Sequence, residues 1–334
     1  MVLCVSVSLW FFIAYQPDAR SASPQSKPRV ALIGFVDGSP ASKELDAARQ
    51  SADALTAAIS RDARVAMIDA SQLRAALAGA GYNGSINLSR DEARGLGAAI
   101  GCDFFIIGKQ DLATRSDAKE EAHEEASLGV MIVDGRTGLL AAFDFQNTKA
   151  AMRAVAIAQL LKAIEAQASS YVERMNQYRT TRAAARNATP NVERIEDLPD
   201  VESAAAEGFK PPEMLNRVKP EYPEAAERAD INATVEAMVV FRKSGEIGEI
   251  EITRWAGFGL EASAERAIRQ LKFKPATRDG QPLSVRAVVR YNFHRVNEPA
   301  SPPAAPVEKP EEKPVPDLRQ YVKPRYRPPG RNRI

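Results

Sequence analysis

Cysteine and histidine are nearly absent from this chain. Its 334 residues hold two cysteines, Cys4 and Cys102, and two histidines, His123 and His294. Cys4 lies in an apolar leader, so Cys102 is left without a mate and a disulfide framework is excluded. Two histidines far apart in sequence supply no ligand pair for a His-based metal site. The formal net charge is only +2, far from the basic excess of a polyanion binder, which argues against nucleic acid as a partner. A long apolar run is missing as well. Residues 1–15 carry no charge, but as a helix they would reach only ~22 Å, short of a ~30 Å hydrocarbon core. Residues 1–23 therefore read as a signal peptide or a short membrane anchor, with a cleavage-like Ala19-Arg20-Ser21 and no basic n-region. Either reading places the protein in the periplasm, released or anchored in the inner membrane.

The length exceeds that of one average domain, so two domains with linkers are expected. From residue 28 to 175 the periodicity alternates between strand and helix. Val30-Ala-Leu-Ile33 is a buried strand ending at Gly34, and Leu45, Ala48, Ala52, Leu55 and Ile59 form one helical face. Arg64 to Ile68 is a second strand, and Ser71 to Ala78 a short helix. Ser89-x-x-Glu92 is a capping box opening a helix to Ile100. Asp103-Phe-Phe-Ile-Ile-Gly108 is a third strand. Leu128–Asp134 and Leu139–Phe145 flank Gly135-Arg-Thr-Gly138 as a hairpin, and a helix from Thr148 to about Met175 closes the segment. The order β-α-β-α-α-β-β-β-α is that of a compact α/β sandwich. Val30 to Phe35, Leu96-Gly97, Gly101-Cys-Asp103, Gly108 and Asp134-x-x-Thr137-Gly138 resemble landmarks of the N-terminal domain of TolB and of CsgG-like envelope proteins. That resemblance implies an interaction or assembly module without transferable chemistry.

Two motifs in this segment invite chemistry. Gly79-Ala-Gly81-Tyr-Asn-Gly84 fits a dinucleotide fingerprint but follows a helix instead of a strand, so a helix end and loop is the expected role. His123 sits in Lys119-Glu-Glu-Ala-His-Glu-Glu125, and a charge run of this kind reads as a solvated loop. No catalytic residue, metal ligand or cofactor site is assigned. Residues 176–208 are polar without an apolar stripe and read as a linker.

The most informative stretch comes next. Pro220-Glu-Tyr222-Pro223-x-x-Ala226 leads into a β-rich run, Thr234 to Phe241, and then the turn Ser244-Gly245. A second β-rich run follows, then a helix with Leu260, Ala264, Ala267, Ile268 and Leu271 on one face. Phe273-Lys-Pro-Ala276, the tight turn Asp279-Gly280 and an alternating strand, Val285 to Phe293, complete it. This order of pieces, over residues 209–296, resembles the C-terminal domain of the TonB family. The expected fold is α+β: an α/β sandwich followed by a small domain with an antiparallel three-stranded sheet and a packed helix. The resemblance implies a non-enzymatic, cell-envelope protein-binding module that bridges to an outer-membrane or periplasmic partner presenting an extended segment. Binding would be by β-strand addition, with coupling to transport through inner-membrane motor proteins as an extension. The candidate partner-binding residues are Tyr222, Pro223, Val285, Arg286, Val288, Arg290 and Asn292. For Tyr222 a cap on the fold stands beside direct contact. For Arg286 and Arg290, protection of an edge strand stands beside pairing with acidic residues. Lys219, Ala233 and the absence of histidine from residues 1–15 depart from the family pattern. The alternative reading is a structural envelope-assembly or secretion-associated protein whose α/β domain oligomerises.

Residues 297–334 form a Pro-rich tail, expected to be disordered or extended. Its last eighteen residues carry six basic side chains against Asp317 alone, which suits an anionic envelope surface or a solubilising role.

Overall fold

The computed structural model describes residues 27–116, 122–186, 195–199 and 208–294. The expected leader and Pro-rich tail lie outside these residues. The fold is mixed α+β, built on two principal sheets. The first has the order β2-β1-β3-β4-β5. Its strands are β1 (Arg29–Asp37), β2 (Ala66–Met67), β3 (Phe104–Arg115), β4 (His123–Asp134) and β5 (Leu140–Ala150). β1 runs parallel to β2 and β3, because helical crossovers separate them in sequence, while β3, β4 and β5 form an antiparallel meander. The helices are α1 (Pro40–Glu44), α2 (Ala47–Ser60), α3 (Ala70–Gly79), α4 (Arg90–Ile100) and α5 (Arg153–Arg186). The predicted capping box is formed: Ser89 accepts from Glu92 N, and Glu92 accepts from Ser89 N.

The period of two along the strands sends side chains into two cores. Val30 and Leu32, Phe104 and Ile106, and Leu128, Val130 and Ile132 pack against Leu55 and Ile59 of α2 and Leu160, Ile164 and Met175 of α5. Ala31, Phe105, Ile107, Met131 and Val133 point to the opposite face. A sheet buried on both faces explains why Phe104 to Ile107 reads as an unbroken apolar run.

That opposite face is covered only in part by α3 and α4. The rest of its cover comes from the C-terminal segment. There the second sheet has the order β10-β9-β13-β12-β7, with β6 added on β13. Its strands are β6 (Ile195–Asp197), β7 (Phe209–Lys210), β9 (Ala233–Phe241), β10 (Ile247–Arg254), β12 (Ala276–Arg278) and β13 (Gln281–Phe293). A small pair, β8 (Glu213–Met214) with β11 (Phe273–Lys274), and the helices α6 (Glu224–Arg228) and α7 (Leu260–Arg269) complete it. The expected three-stranded antiparallel sheet is β10-β9-β13, and Leu260, Ala264, Ala267 and Ile268 of α7 are buried as their spacing predicts, whereas Leu271 lies past the end of the helix and is half-buried. Asp279 and Gly280 lie at φ 51° and 81°, the turn that closes the β12–β13 hairpin.

Between β10 and α7, Trp255-Ala-Gly-Phe258-Gly-Leu260 inserts against the first sheet. Trp255, Ala256, Phe258 and Leu260 are fully buried in one cluster with Phe105, Met131 and Val133. The Trp255 indole N–H donates to Gly138 O at 3.0 Å. Phe258, at φ 56°, packs its ring centroid 5.1 Å from that of Phe143 in a tilted pair and 5.9 Å from that of Phe145 edge-on. The outer end of its ring meets Gly129, where a Cβ would sit 2.3 Å from Cζ of Phe258, so only glycine lets the ring reach the sheet. Asn87 reinforces the junction: its amide donates to Thr234 O and Trp255 O at 2.9 and 2.8 Å and accepts from Thr234 N at 3.1 Å.

Several boundaries differ from expectation. β5 continues to Ala150 and the next helix begins at Arg153, because Thr148 pairs with Ala126 across β4. α5 runs to Arg186, into the segment read as a linker, and its later turns still make contacts. Tyr178 meets Phe104 edge-on at 6.2 Å, and Arg182 pairs with Asp134. The His123–Glu125 run is the start of β4 and not a solvated loop, since Glu125 is buried among cations. Phe258→Ala is expected to lower unfolding free energy by about 3–5 kcal/mol, the usual loss for an emptied phenylalanine site. Urea denaturation followed by Trp255 fluorescence measures it, and a loss below about 1 kcal/mol would show that the insertion does not stabilise the fold.

Candidate partner-binding edge

β13 carries five of the seven expected partner-binding residues. Val285 and Phe293 are buried and Ala287, Val289 and Tyr291 half-buried, while Arg286, Val288, Arg290 and Asn292 are exposed. The alternation follows from the pleat. One side of the strand pairs along its length with β9, from Val285↔Phe241 to Phe293↔Ala233. Gln281–Leu283, ahead of the stretch paired with β9, forms the hairpin with β12. On the side away from β9, Ser284–Arg286 pairs in parallel with β6, and beyond Arg286 no described strand pairs with that side.

Leu198 N donates to Arg286 O at 3.0 Å, so the backbone of Arg286 faces away from β9. A strand residue directs N–H and C=O to the same side, and sides alternate. Val288, Arg290 and Asn292 therefore turn their backbone groups to the open side, which is a template for an added strand. Beside it lies an apolar groove of about 540 Å³ lined by Leu198, Pro211, Pro212, Met214, Val288 and Tyr291. Val288 and Met214 are 53% and 44% exposed, a notable fraction for apolar side chains on one groove.

The polar candidates have partners inside the chain. Arg290 Nε donates to Glu236 on β9 at 2.8 Å, and Arg286 lies 3.9 Å from Asp197 on β6. Asn292 Oδ1 accepts from Thr234 Oγ1 at 2.9 Å. Tyr222 and Pro223 are engaged within the fold. The Tyr222 hydroxyl donates to Ile231 O at 2.5 Å and its ring centroid lies 6.4 Å from that of Phe293. Pro223 is the N-cap of α6, with φ −68° and ψ 148°. Both fix the end of the sheet. Sequence reasoning missed Leu198, Pro211, Pro212 and Met214. Their only signal was apolar side chains within polar or irregular stretches.

A second cluster joins the two segments. Glu125 is buried in β4 and is paired with Arg115 of β3 and with Arg228 of α6, the latter at 2.6 Å. Asn147 donates to it at 3.0 Å, and Arg115 also donates to Arg228 O at 2.7 Å. Burial alone would raise its pKa, but the Asn147 hydrogen bond and the two guanidinium groups outweigh burial and hold it below the usual carboxylate range. The cluster is a clasp, with every carboxylate oxygen engaged. Cys102 is buried, and burial, helped by Asp103, pushes its thiol up to about 12, which leaves no thiolate for nucleophilic work. The Gly79–Gly84 run closes α3, and the next helix opens only at Arg90.

The family model for the Gram-negative bacterial TonB protein C-terminal region matches residues 218–294, from the approach to α6 to the end of β13. No curated protein matches the sequence. Among solved structures, the TonB C-terminal domain of Pseudomonas aeruginosa aligns at 18% identity and TM-score 0.24, covering 31% of this chain and 97% of that one. Lipoprotein GNA1162 from Neisseria meningitidis aligns at 15% identity and TM-score 0.32, covering 43% of this chain and 99% of its own. The LpoB C-terminal domain from Salmonella enterica aligns at 13% identity and TM-score 0.27, over 36% of this chain and 82% of that one. The TonB-type assignment of residues 218–294 rests on the family match.

The Glu125 clasp makes a pH prediction. A carboxylate with a depressed folded pKa contributes stability above its unfolded pKa, and that contribution is lost as pH falls through the folded value. Glu125→Gln is expected to lose about 2 kcal/mol at neutral pH, since Arg115 and Arg228 would be left facing each other half-buried. It should also flatten the acid limb of a stability–pH profile from urea melts. Wild-type stability at neutral pH together with an unchanged acid limb would rule the clasp out.

Proposed function

We propose that this chain is a cell-envelope protein-binding module of the TonB type, which captures an outer-membrane or periplasmic partner by strand addition along β13. The observation that carries the reading is the family match of residues 218–294. The open side of β13 supplies its physics. Main-chain bonds to Val288, Arg290 and Asn292 give affinity, and the neighbouring groove sorts alternate side chains of the incoming segment. Arg286 and Arg290 would have to share their acidic partners, so their contribution is that of exposed pairs, about 0.2–1 kcal/mol each. The reading is one of binding without catalysis. Export through residues 1–23 places the module in the periplasm, and coupling to an inner-membrane motor through an anchor there is its extension. Among the described residues no helix is long and apolar enough to cross a membrane.

Val288→Pro tests the edge. Its N–H faces the open side, so proline removes no bond to β9 and mainly blocks an added strand. Circular dichroism and melting should match wild type, while capture of envelope proteins from outer-membrane extracts should be lost. Reversal of Arg286 and Arg290 to glutamate should weaken capture by about 1 kcal/mol or less. A folded Val288→Pro protein that captures as wild type would show that this edge is not the recognition surface.

A further inference from the structure

The outer side of β13 is not wholly vacant, and what occupies it belongs to the chain itself. β6 lies in the lane an added strand would take, in parallel register with Ser284↔Ile195, Val285↔Glu196 and Arg286↔Asp197. It carries acidic side chains to the basic residues that flank the edge: Glu196 lies 3.2 Å from Arg278 and Asp197 3.9 Å from Arg286. Leu198 anchors its backbone on Arg286 O and lines the apolar groove with Met214 and Val288. Pro199 follows, and without an N–H it cannot carry the ladder onward. The internal strand stops where the open edge starts.

We infer that Ile195–Leu198 is a built-in competitor for the β13 edge, a short internal strand that a partner's extended segment must displace to pair along the whole of β13. The inference deepens the strand-addition reading and rests on it. With β6 in place, an incoming strand meets the outward backbone of Val288, Arg290 and Asn292. Once β6 leaves, Ser284 and Arg286 join them. Displacement is cheap for physical reasons. The strand is three residues long, and the Asp197–Arg286 pair, with side chains 86% and 43% exposed, belongs to the class of surface pairs that contribute little. Occupancy persists because the segment is tethered, at an effective concentration on the order of millimolar. A competitor of this kind lowers the apparent affinity of every partner by the fraction of time the edge is clear.

The test uses the purified protein and a synthetic peptide of residues 191–199 as the probe, with binding read by nuclear magnetic resonance titration. Leu198→Pro removes the donor to Arg286 O. The pair Glu196→Lys and Asp197→Lys, a second route to the same end, reverses the charges facing Arg278 and Arg286. Either variant should bind the peptide about tenfold or more tightly than wild type, since the tethered rival is gone. The shifts should fall on Ser284, Arg286 and Val288. In the unliganded protein the Arg286 amide should exchange with solvent at least tenfold faster in the variants, while amides facing β9 keep their protection. Equal peptide affinity in wild type and variants, or unchanged Arg286 exchange, would overturn the inference. The probe is the chain's own segment, so that failure would leave partner capture through β13 standing. Loss of partner capture, in turn, would leave the β6 exchange measurable.

Discussion

Phe258 lying on Gly129 is the contact on which the rest of the structure depends. The first sheet is apolar on both faces, and α3 and α4 are too short to cover the second one. The Trp255–Leu260 insertion supplies the missing cover and in doing so merges two segments, far apart in sequence, into one continuous apolar cluster. The geometry is costly locally, because a phenylalanine at φ 56° is in a region that side chains disfavour. Two things hold it there. The ring buries fully between Phe143 and Phe145, and Glu261 accepts from the Ala256 and Gly257 N–H groups at 2.6 and 2.8 Å, fixing the loop from behind.

Polar contacts then set the orientation that the apolar insertion leaves loose. Asn87, the Glu125 clasp and Lys109, which donates to Ala229 O at 2.6 Å, all join the first segment to backbone or charge in the second. Apolar burial is not directional, whereas these bonds are. They surround α6 and the start of β9, the elements that hold β13 from its paired side. The far side of β13 is thereby presented to solvent by a packed frame instead of a hanging strand.

Local periodicity made much of this legible. The alternation from Val285 to Phe293, the spacing along α7 and the Ser89–Glu92 capping box each encode a period or a cap within a dozen residues, and each formed as read except at Leu271, which lies past the end of α7. The insertion was not legible, because Gly257-Phe-Gly259 has the composition of a turn and nothing nearby announces that its ring will be buried by a sheet more than a hundred residues away. Glu125 failed for a related reason. In sequence it ends a charge run. In space its cations come from Arg115 and Arg228, and Arg228 belongs to the other segment. At the candidate edge, the strand and its exposed face were readable from the pattern, but the groove was not, since Pro211, Pro212 and Met214 carry no period at all.

β6 shows the limit of composition most clearly. Ile195-Glu-Asp-Leu198 sits in a polar stretch that reads as a linker, and three residues are too few for any period to appear. Its pairing is decided by what β13 offers: unpaired backbone and flanking guanidinium groups. An exposed edge is a hazard, because it will take whatever strand arrives. A chain that needs its edge for recognition cannot blunt it with a bulge or a proline. It can cover part of the edge with a short, weakly held segment of its own, which discourages casual pairing yet yields to a longer strand. On that argument the acidic pair in β6 and the arginines beside β13 act together: the charges select the cover, and the three-residue length keeps it removable.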